Sequence, residues 1–414
     1  DDVMNGPGAA AQSIVVGSGP NGLAAAVELA RGGHQVHVVE GETTPGGGTR
    51  TKELIEPGHL HDVCSATHPL GMASPYFNDL PLGRLGLEWM VPEVQVSHPL
   101  GDGRAVGLHK SLTETASLLG EDGVAYRRLM TPLVDRLDNI IAGSLAPLQS
   151  AWRRPSTMGR FGLLAVRSVS LLAERFSTEP ARALLAGLGA HSIAALDRPV
   201  TAGVALVLGA AAHGRGWPIA RGGSQAIADG LVAYLEELGG TIETGRWIES
   251  PRDLPPDAAL FLDTSPRTAL AVAGDRLGRL ARRRLNRWNY GPGSHKVDWI
   301  LSEPIPWADE LSGRSATVHV GGSYAEIAAS EARAAAGTPP DRPFVLVSQP
   351  TLLDDTRAPS GRHIAWGYCH VPHGYDGDAT QAIEDQMERF APGFKDTIVA
   401  RHRQTAADLG RYNP

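Results

Sequence analysis

The sequence predicts an α/β protein of two interleaved domains, one around a parallel sheet and one around an antiparallel sheet with helices. At the start of the chain, two short β-branched runs, 13–17 and 35–40, enclose a helical pattern at 23–31, which is the order of a βαβ unit. A further helix and two strands of this kind recur between 224 and 263. Later runs typical of antiparallel strands lie at 295–301, 344–348 and 364–371.

The rest of the chain adds helices to these two sheets. The stretch 112–196 is mostly helical in pattern, and 204–212 predicts a buried helix. In the recurring unit we expect a helix at 224–238, strands at 241–248 and 258–263, a helix that begins at Pro266, and later a loop at 334–343.

Composition and charge exclude several classes of protein. The 414 residues carry a net charge of −7, from 38 basic and 45 acidic residues, whereas nucleic-acid binders usually have a basic excess. The two cysteines, Cys64 and Cys369, have no metal-ligand or disulfide spacing, so we predict no metal site and a reducing, cytoplasmic location. The first residues lack the pattern of a secretory signal, and the longest apolar run, 202–212, is too short to span a bilayer.

A glycine-rich loop joins the first strand to the first helix. Residues 17–22, Gly17-Ser18-Gly19-Pro20-Asn21-Gly22, match G-x-G-x-x-G. In this motif the glycines permit a tight turn, a close approach to a pyrophosphate and close packing of the helix on the strand, and the helix N-terminus attracts the phosphates. Glu40 ends the second strand, where an acid binds a ribose 2′-hydroxyl and disfavours NADP. The alternative is a glycine-rich turn in an unrelated α/β fold.

A second glycine cluster follows this acid. Beyond Gly41, residues 45–50 read Pro-Gly-Gly-Gly-Thr-Arg, so Gly47, Gly48 and Thr49 let the backbone approach the pyrophosphate from another side, and Arg50 adds positive charge. The cluster resembles the glycine-doublet extension of flavoproteins in the glutathione-reductase-like superfamily, which NAD dehydrogenases lack. The resemblance implies FAD as the cofactor.

The chain as a whole resembles the phytoene-desaturase-like branch of the FAD-dependent amine oxidase superfamily, which includes carotenoid desaturases and pyridine nucleotide-disulfide oxidoreductase domain 2-like proteins. The motifs that carry the resemblance are HDVCSATHPL at 61–70, WPIARGGSQAIADG at 217–230, the strand at 241–248 and LDTSP at 262–266. They imply that Ser65 lies beside the flavin, that Trp247 and Ile248 meet the adenine, and that Thr264 lies in the second turn of the nucleotide domain.

This resemblance implies a glutathione-reductase-like Rossmann FAD-binding domain interleaved with an α+β substrate domain. We assign 13–75 and 216–275 to the FAD-binding domain, and 76–215 and 276–414 to the substrate domain. Two features differ from the family: 248–260 is short, and the sequence stops at 414 where relatives continue with a glycine-rich segment over the flavin. We therefore expect a separate C-terminal polypeptide to complete the FAD site, and tight FAD binding by this chain alone would contradict that expectation.

Two residues are candidates for catalysis. Lys296, in GSHKVDWILSEP at 293–304, resembles the amine-oxidase lysine that holds a water at the flavin N5 atom; the alternative is an exposed lysine at a strand edge. His68 lies in the segment expected beside the flavin, although a buried, hydrogen-bonded histidine would look the same. Trp366, Tyr368 and His370 alternate on one strand and would share a face, which lines either a pocket or a plain sheet core.

Two charged segments suggest surfaces. Residues 160–176 have the pattern of an amphipathic helix with Phe161, Ala165, Val169, Leu172 and Phe176 on its apolar face. Such a helix either lies in a membrane interface, where it admits a lipid substrate, or packs on the core. The six arginines between 276 and 287 are typical of a solvated helix in a chain of net negative charge, and we predict no nucleic-acid binding.

Together these features predict an FAD-dependent oxidoreductase, a flavoprotein that dehydrogenates or saturates a hydrophobic small molecule by hydride transfer at the flavin N5 atom. One alternative is a flavin amine oxidase, which needs an aromatic cage that the 6% aromatic content disfavours. Another is a non-catalytic flavin-binding subunit completed by a partner chain. The sequence leaves open the substrate, the electron acceptor, covalent attachment of the flavin, and whether the chain forms a homo-oligomer.

Overall fold

The structure of the chain, a computed structural model, describes residues 12–145, 150 and 153–413. In chain order its strands are β1 (Gln12–Val16), β2 (Gln35–Val39), β3 (Thr51–Lys52), β4 (His61–Asp62), β5 (Trp89–Met90), β6 (Val94–Pro99), β7 (Ala105–His109), β8 (Ile219–Ala220), β9 (Thr241–Glu243), β10 (Ala259–Leu262), β11 (Gly293–Leu301), β12 (Thr317–Val320), β13 (Val345–Ser348), β14 (His363–Val371) and β15 (Ile398–Gln404). Its helices are α1 (Pro20–Arg31), α2 (Pro69–Ala73), α3 (Pro75–Asp79), α4 (Leu112–Leu118), α5 (Gly123–Val134), α6 (Leu137–Ser144), α7 (Pro155–Ala165), α8 (Val169–Ala173), α9 (Glu179–Ala190), α10 (Thr201–Gly214), α11 (Gln225–Glu237), α12 (Pro266–Ala273), α13 (Arg279–Asn286), α14 (Tyr324–Ala335), α15 (Thr380–Phe390), α16 (Phe394–Thr397) and α17 (Ala406–Tyr412).

A four-stranded parallel sheet forms around the βαβ unit that the sequence predicts. Its strands lie in the order β10-β1-β2-β9, and all three pairings are parallel. Helices α1 and α11 share one apolar core with β1 and β2, to which Leu23 and Leu231 contribute. Helix α12 begins at Pro266, as expected, and the Ser265 hydroxyl accepts a hydrogen bond from the Thr268 N–H at its start.

A seven-stranded sheet carries the second domain. Its order is β15-β11-β14-β13-β12-β6-β7, and its pairs are antiparallel except for β6 with β12. Side chains alternate along each strand, so Leu346 packs into the helical core while Val345 and Val347 pack into a second core with α15. This sheet confirms the predicted strands at 295–301, 344–348 and 364–371.

The predicted helical stretch forms a layer, α4 to α10, on one face of this sheet. Helix α10 is buried over almost its whole length and confirms the buried helix expected at 204–212. Two glycines let neighbouring helices pack closely on α10. A Cβ on Gly209 would lie 3.1 Å from the Met130 methyl group, and one on Gly203 would lie 3.2 Å from the Ala165 Cβ. Among the helices in the described ranges, none combines the length and the apolar character needed to cross a bilayer.

Three sequence predictions are corrected. The strand expected at 241–248 ends at Glu243, because Gly245 turns the chain at a φ of +74°. The single helix expected at 160–176 is two helices, α7 and α8, separated by 166–168. The loop expected at 334–343 starts later, because α14 continues to Ala335. The segments alternate between the two sheets, while the three boundaries between the four domain segments stay predictions.

Candidate active site

The glycine loop between β1 and α1 is shaped by an aspartate from the end of β10. A side chain on Gly17 would collide with the Asp263 carbonyl oxygen, and a Cβ on Gly19 or Gly22 would lie 2.6 or 2.9 Å from Asp263 Oδ2. That oxygen accepts a hydrogen bond of 2.8 Å from the Gly22 N–H. A side chain is therefore excluded at Gly17 by the Asp263 backbone, at Gly19 by the Asp263 carboxylate, and at Gly22 by that carboxylate and the Gly17 carbonyl. Burial raises the pKa of Asp263, and the Glu40 carboxylate adds to the effect.

A cleft of about 490 Å³ opens above this loop. Most of the predicted cofactor residues line it, namely Gly17, Ser18, Gly19, Pro20, Asn21, Glu40, Gly41, Gly47, Gly48, Arg50, Trp247, Ile248 and Thr264. Three of the predicted residues do not line the cleft. The Gly22 N–H donates a hydrogen bond to Asp263, the buried Thr49 donates its hydroxyl to the Gly46 carbonyl, and Ser65 lines a second cavity. Sequence reasoning missed Asp263, Arg246, Tyr412 and Asn413, which also line the cleft.

Asp263 was within reach of sequence reasoning. It directly follows the strand β10, which lies beside β1 in the parallel sheet. A polar residue in that position lies at the carboxyl edge of the sheet, where open α/β sheets bind ligands. Tyr412 and Asn413 carried no comparable signal, because they come to the cleft from the distant helix α17.

Glu40 and Arg50 form a buried pair that corrects one expectation. Arg50 Nη2 lies 2.9 Å from Glu40 Oε1, and its Nε donates to the Thr44 carbonyl at 2.6 Å. Glu40 Oε2 accepts hydrogen bonds from the Ser18 N–H and hydroxyl, at 3.0 and 2.5 Å. Arg50 therefore ties the second glycine cluster to the first loop, instead of offering a free positive charge to a phosphate.

Trp247 forms one wall of the cleft. Its ring lies across Gly41, where any Cβ would collide with the indole. Half of the Trp247 side chain is exposed, at 50%, so a flat apolar surface faces the cleft beside Ile248. The glycine at 41 thus positions this ring, which is the kind of surface on which an adenine stacks.

The lining of the cleft fits a dinucleotide. A Cβ on Gly47 would lie 2.9 Å from the Gly19 Cα, so the two glycine segments meet as bare backbone. Helix α1 begins at Pro20 with Gly19 as its N-cap, and the N-terminal N–H groups of a helix lack intrahelical partners. Backbone on two sides and a helix N-terminus suit a pyrophosphate, and the Trp247 wall suits a base. The volume of the cleft is within the usual range of cofactor sites.

A second cavity, of about 390 Å³, lies beside the cleft, and Lys296 lines it. Lys296 is 2% exposed, and its Nζ lies 2.5 Å from Asp298 Oδ1 and 5.1 Å from the centre of the Trp366 ring. Asp298 is fully buried and lies 3.4 Å from His61 Nδ1. The lysine is on β11, which pairs with β14 on one side and β15 on the other, so it is not the exposed strand-edge lysine considered as the alternative.

The cleft and the cavity share one wall. The Ser65 N–H donates to the Gly48 carbonyl at 3.0 Å, and both Ser65 and Cys64 line the cavity. Helix α17 reaches both spaces, because Leu409 lines the cavity and Tyr412 lines the cleft. A ligand in the cleft that extended past Gly48 would therefore reach the cavity that contains Lys296.

His68 and His370 are held by hydrogen bonds to other side chains, which fits the structural alternatives that the sequence left open for them. His68 Nε2 donates to Ser224 Oγ at 2.8 Å, because that hydroxyl already donates to the Ser65 carbonyl at 2.6 Å. Desolvation lowers the pKa of His68 to about 4, and the residue lines neither space. His370 is buried with its Nδ1 2.7 Å from Glu331 Oε2. The prediction that His68 is catalytic is therefore not supported by its position.

The other residues of the shared strand face do line the cavity. Trp366 and Tyr368 stack with their ring centres 5.8 Å apart and 26° between their planes. His191, which directly follows α9, lines the cavity as well and was missed. No sequence motif connects it to the cavity, since its partners come from other elements.

Comparisons with known proteins show which proteins this chain is similar to in sequence and in fold. A family model for an NAD(P)-binding Rossmann-like domain matches residues 15–80. The chain is 24% identical to mouse (Mus musculus) pyridine nucleotide-disulfide oxidoreductase domain-containing protein 2, over 96% of this chain and 82% of the relative. Its fold is similar to that of an oxidoreductase from Methanosarcina mazei, with a TM-score of 0.63 and 16% identity. The similarity covers 96% of this chain and 90% of that structure. It is also similar to the fold of cyclohexylamine oxidase from Brevibacterium oxydans, with a TM-score of 0.56 and 16% identity. This similarity covers 96% of this chain and 84% of that structure.

These similarities confirm the predicted fold, a Rossmann dinucleotide-binding domain interleaved with an α+β domain. They support the prediction of FAD and of an oxidoreductase, and the similarity to cyclohexylamine oxidase is one of fold. The narrower placement in the phytoene-desaturase-like branch stays a prediction. The chain thus has the architecture of the FAD-dependent oxidoreductases, with its dinucleotide cleft at the carboxyl edge of the parallel sheet.

Proposed function

We propose that the chain is an FAD-dependent oxidoreductase that dehydrogenates or saturates a hydrophobic small molecule in the cavity around Lys296. One observation carries the proposal: a buried, ion-paired lysine lines a cavity that shares a wall with a dinucleotide cleft. FAD, when bound in the cleft, would supply hydride chemistry at its N5 atom. The residues of the chain bind the two molecules, orient them and keep water out.

Lys296 has the central part in this proposal. Asp298 Oδ1, at 2.5 Å, holds the ammonium group in place and keeps its charge compensated within the buried region. A fixed cation at the cavity wall stabilises negative charge that develops nearby, and it does so strongly because the surroundings have a low dielectric constant. Leu346, Trp366 and Leu409 supply apolar surface for a hydrophobic substrate.

A flavin amine oxidase is the second candidate, and the stacked pair of Trp366 and Tyr368 favours it. Two aromatic rings side by side in the cavity are part of what an amine substrate requires, even though the chain as a whole has few aromatic residues. The two candidates differ in substrate, since one oxidises a C–C bond and the other a C–N bond.

Anaerobic reduction of the bound flavin tests the proposal. The FAD-loaded chain is mixed without oxygen with a carotenoid, a primary amine and an acyl compound, and the visible absorbance of the flavin is followed. We expect one class to bleach the flavin, and we expect Lys296→Met to slow bleaching roughly 100- to 1000-fold, the usual cost of an electrostatic stabiliser. The matched control is Lys395→Met, which removes a lysine from an exposed lysine–aspartate pair.

Each outcome of this experiment is informative. Bleaching by the amine alone favours the amine oxidase. If no class bleaches the oxidised flavin, and none restores the colour of flavin that was chemically reduced beforehand, the chain is a flavin-binding subunit without turnover, and the proposal is wrong. If Lys395→Met slows bleaching as much as Lys296→Met does, the role assigned to Lys296 is wrong.

Contact with a membrane is also part of the proposal, but through a different face from the one expected. Phe161, Val169 and Leu172 are buried in the core. Leu163, Val166 and Val200 are instead 69%, 61% and 58% exposed, and the Val200 N–H donates to the Val166 carbonyl, so two of the three are neighbours.

The exposed Arg160 lies on the same helix as Leu163, and this combination suits a surface of anionic lipid. Flotation with vesicles that contain phosphatidylserine is expected for the wild type and is expected to be lost in Leu163→Glu. Absence of wild-type flotation would remove this part of the proposal.

A further inference from the structure

A pocket outside the cleft and the Lys296 cavity opens between α12, α13 and the loop that follows α13. Its volume is about 550 Å³, and it shares no lining residue with either of the other two spaces. Leu270 of α12 and Leu285 of α13 give it apolar sides, and Trp288 and Tyr290 from the loop give it aromatic ones. A pocket with this lining is the kind that receives an apolar side chain of a partner.

The aromatic wall of this pocket is held in place within the folded chain. The rings of Tyr290 and His373 stack with their centres 6.0 Å apart and 11° between their planes. The Arg267 guanidinium carbon lies 5.5 Å from the centre of the Tyr290 ring, and the Arg267 N–H donates to the Tyr290 hydroxyl at 3.3 Å. Because these side chains fix one another, a ligand of the pocket would order few of them, which lowers the entropy cost of binding.

Helix α13 carries a row of arginines that leads to this pocket. Arg279, Arg283 and Arg287 follow one another every four residues, so they lie on one side of the helical segment over about 12 Å. Arg284 extends the same side, and all four side chains are exposed. We call these four residues the arginine face.

The charge of the arginine face is not compensated in the part of the chain that the structure describes. Among the arginines of 279–287, only Arg282 forms an ion pair there, with Asp275 at 2.8 Å. The chain as a whole carries a net charge of −7, so the arginine face is a local reversal of sign. Such a surface attracts a negatively charged partner.

Exposed apolar side chains accompany these arginines. Leu280 is 76% exposed, the highest value for a large apolar side chain among the described residues, and Trp288 is 59% exposed. The Trp288 N–H donates to the Leu285 carbonyl at 3.1 Å, so the last turn of α13 continues and brings Trp288 to the pocket. Tryptophan, tyrosine and arginine are the residues that contribute most of the binding energy at protein–protein interfaces.

Three kinds of anionic partner are candidates for this surface, and its composition and shape favour a protein. Nucleic-acid binders usually have an overall basic excess, which this chain lacks. A helix at a bilayer surface buries a broad apolar face, whereas Leu280 and Trp288 stand among four arginines. A protein segment can supply both carboxylates along the arginine face and a side chain that fills the pocket.

We propose that the arginine face and the adjoining pocket bind an acidic segment of another protein, which places one apolar side chain in the pocket lined by Trp288 and Tyr290. The proposal goes beyond the proposed function and does not depend on it, because neither the cleft nor the Lys296 cavity takes part. The arginines attract and align the carboxylates of the partner, and the apolar side chain slows its dissociation.

Fluorescence anisotropy of labelled peptides tests the proposal with the full chain. The probe is four copies of Glu-Glu-Leu, and the matched controls are four copies of Gln-Gln-Leu, without the charge, and of Glu-Glu-Gly, without the apolar side chain. We expect saturable binding of the probe, about tenfold weaker binding of each control, and a several-fold loss of affinity between about 50 and 200 mM NaCl. No saturable binding of the probe, or equal binding of either control peptide, would overturn the proposal.

Two matched pairs of arginines locate the binding. Arg283→Gln/Arg284→Gln should weaken binding of the Glu-Glu-Leu peptide about tenfold, and glutamine preserves the helix because its helix propensity is close to that of arginine. The control is Arg127→Gln/Arg128→Gln, which removes two neighbouring exposed arginines from α5. Trp288→Ala should also weaken binding about tenfold, because it removes one wall of the pocket. Equal losses in the two double variants, or full affinity in Trp288→Ala, would contradict the proposal.

Three further measurements distinguish the other occupants of the arginine face. Flotation with phosphatidylserine vesicles that is lost in Arg283→Gln/Arg284→Gln and kept in the control pair would assign the face to lipid. Tighter binding of a single-stranded oligodeoxythymidine than of the acidic peptide would assign it to nucleic acid. Sedimentation as a dimer in the wild type and as a monomer in the Arg283→Gln/Arg284→Gln variant would assign it to a second copy of this chain. Each of these results would overturn the proposal, and their absence, with the peptide binding described above, supports it.

Discussion

The dinucleotide cleft and the Lys296 cavity lie side by side but are built in opposite ways. The floor of the cleft is glycine backbone, at Gly17, Gly19, Gly47 and Gly48, beside a helix N-terminus, and side chains such as Trp247 form its walls. The cavity is made of residues from the loop at 64–67, from His191 after α9, and from β11, β13, β14 and α17. At the glycines of the cleft a substitution acts by introducing a side chain that intrudes, whereas in the cavity a substitution acts by removing one that is needed.

The largest expected effect is a loss of stability when the buried Lys296–Asp298 pair of the cavity is broken. Asp298→Ala removes the partner of Lys296 and leaves a buried charge unpaired, which should lower the free energy of unfolding by about 3–5 kcal/mol. Asp385→Ala, which breaks the exposed pair with Lys395, should cost less than about 1 kcal/mol. Denaturant titration of both variants measures the difference, and equal losses would show that the cavity does not depend on its buried pair.

The second-largest effect is expected on FAD affinity when the glycine loop of the cleft is changed. Gly19→Ala places a Cβ 2.6 Å from Asp263 Oδ2, and relief of that overlap should cost roughly 2–3 kcal/mol. The distorted loop should fit the pyrophosphate less well, so we expect FAD affinity to drop about 100-fold. Gly313→Ala is the control, because a Cβ there meets nothing within 4 Å. Unchanged FAD affinity in Gly19→Ala, measured by fluorescence titration, would mean that the loop does not hold the pyrophosphate.

His68 contributes to the pH dependence of stability. Its pKa falls from about 6.5 in the unfolded chain to about 4 in the folded chain, so the unfolded state binds more protons between these values. The contribution of His68 to the free energy of unfolding is complete above about pH 6.5, and it is lost as the pH falls toward 4. His68→Gln should reduce the slope of unfolding free energy against pH by up to about 1.4 kcal/mol per pH unit there. Identical slopes in both proteins would refute the assignment.

The smallest effect is expected at the adenine wall. Trp247→Ala removes the ring that lies across Gly41, and FAD binding should weaken by about 1 kcal/mol, or roughly fivefold. Trp288→Ala is a matched control, because that side chain is 59% exposed and lies outside the cleft. Similar affinities of the two variants for FAD would indicate that Trp247 is not part of the site.

The same contrast explains what could be predicted from the sequence. The glycine loop and Glu40 are close together in sequence, so their spacing alone identified the cleft and the parallel sheet. Lys296 came from a resemblance, and its partner Asp298 is only two residues away, yet nothing in the pattern indicated that both are buried. His191 and His319 are far apart in sequence but lie 3.0 Å apart in the fold, so no local pattern could predict their contact.

The position of Asp263 beneath the glycine loop has a consequence for the order of events in binding. Glycines lose more backbone entropy on ordering than other residues, and a loose loop would incur that loss when the cofactor arrives. Here the hydrogen bond from Gly22 to Asp263 holds the turn within the folded chain itself. The entropy is therefore lost during folding, and the cleft receives its ligand as a preorganised surface whose association rate is set by encounter.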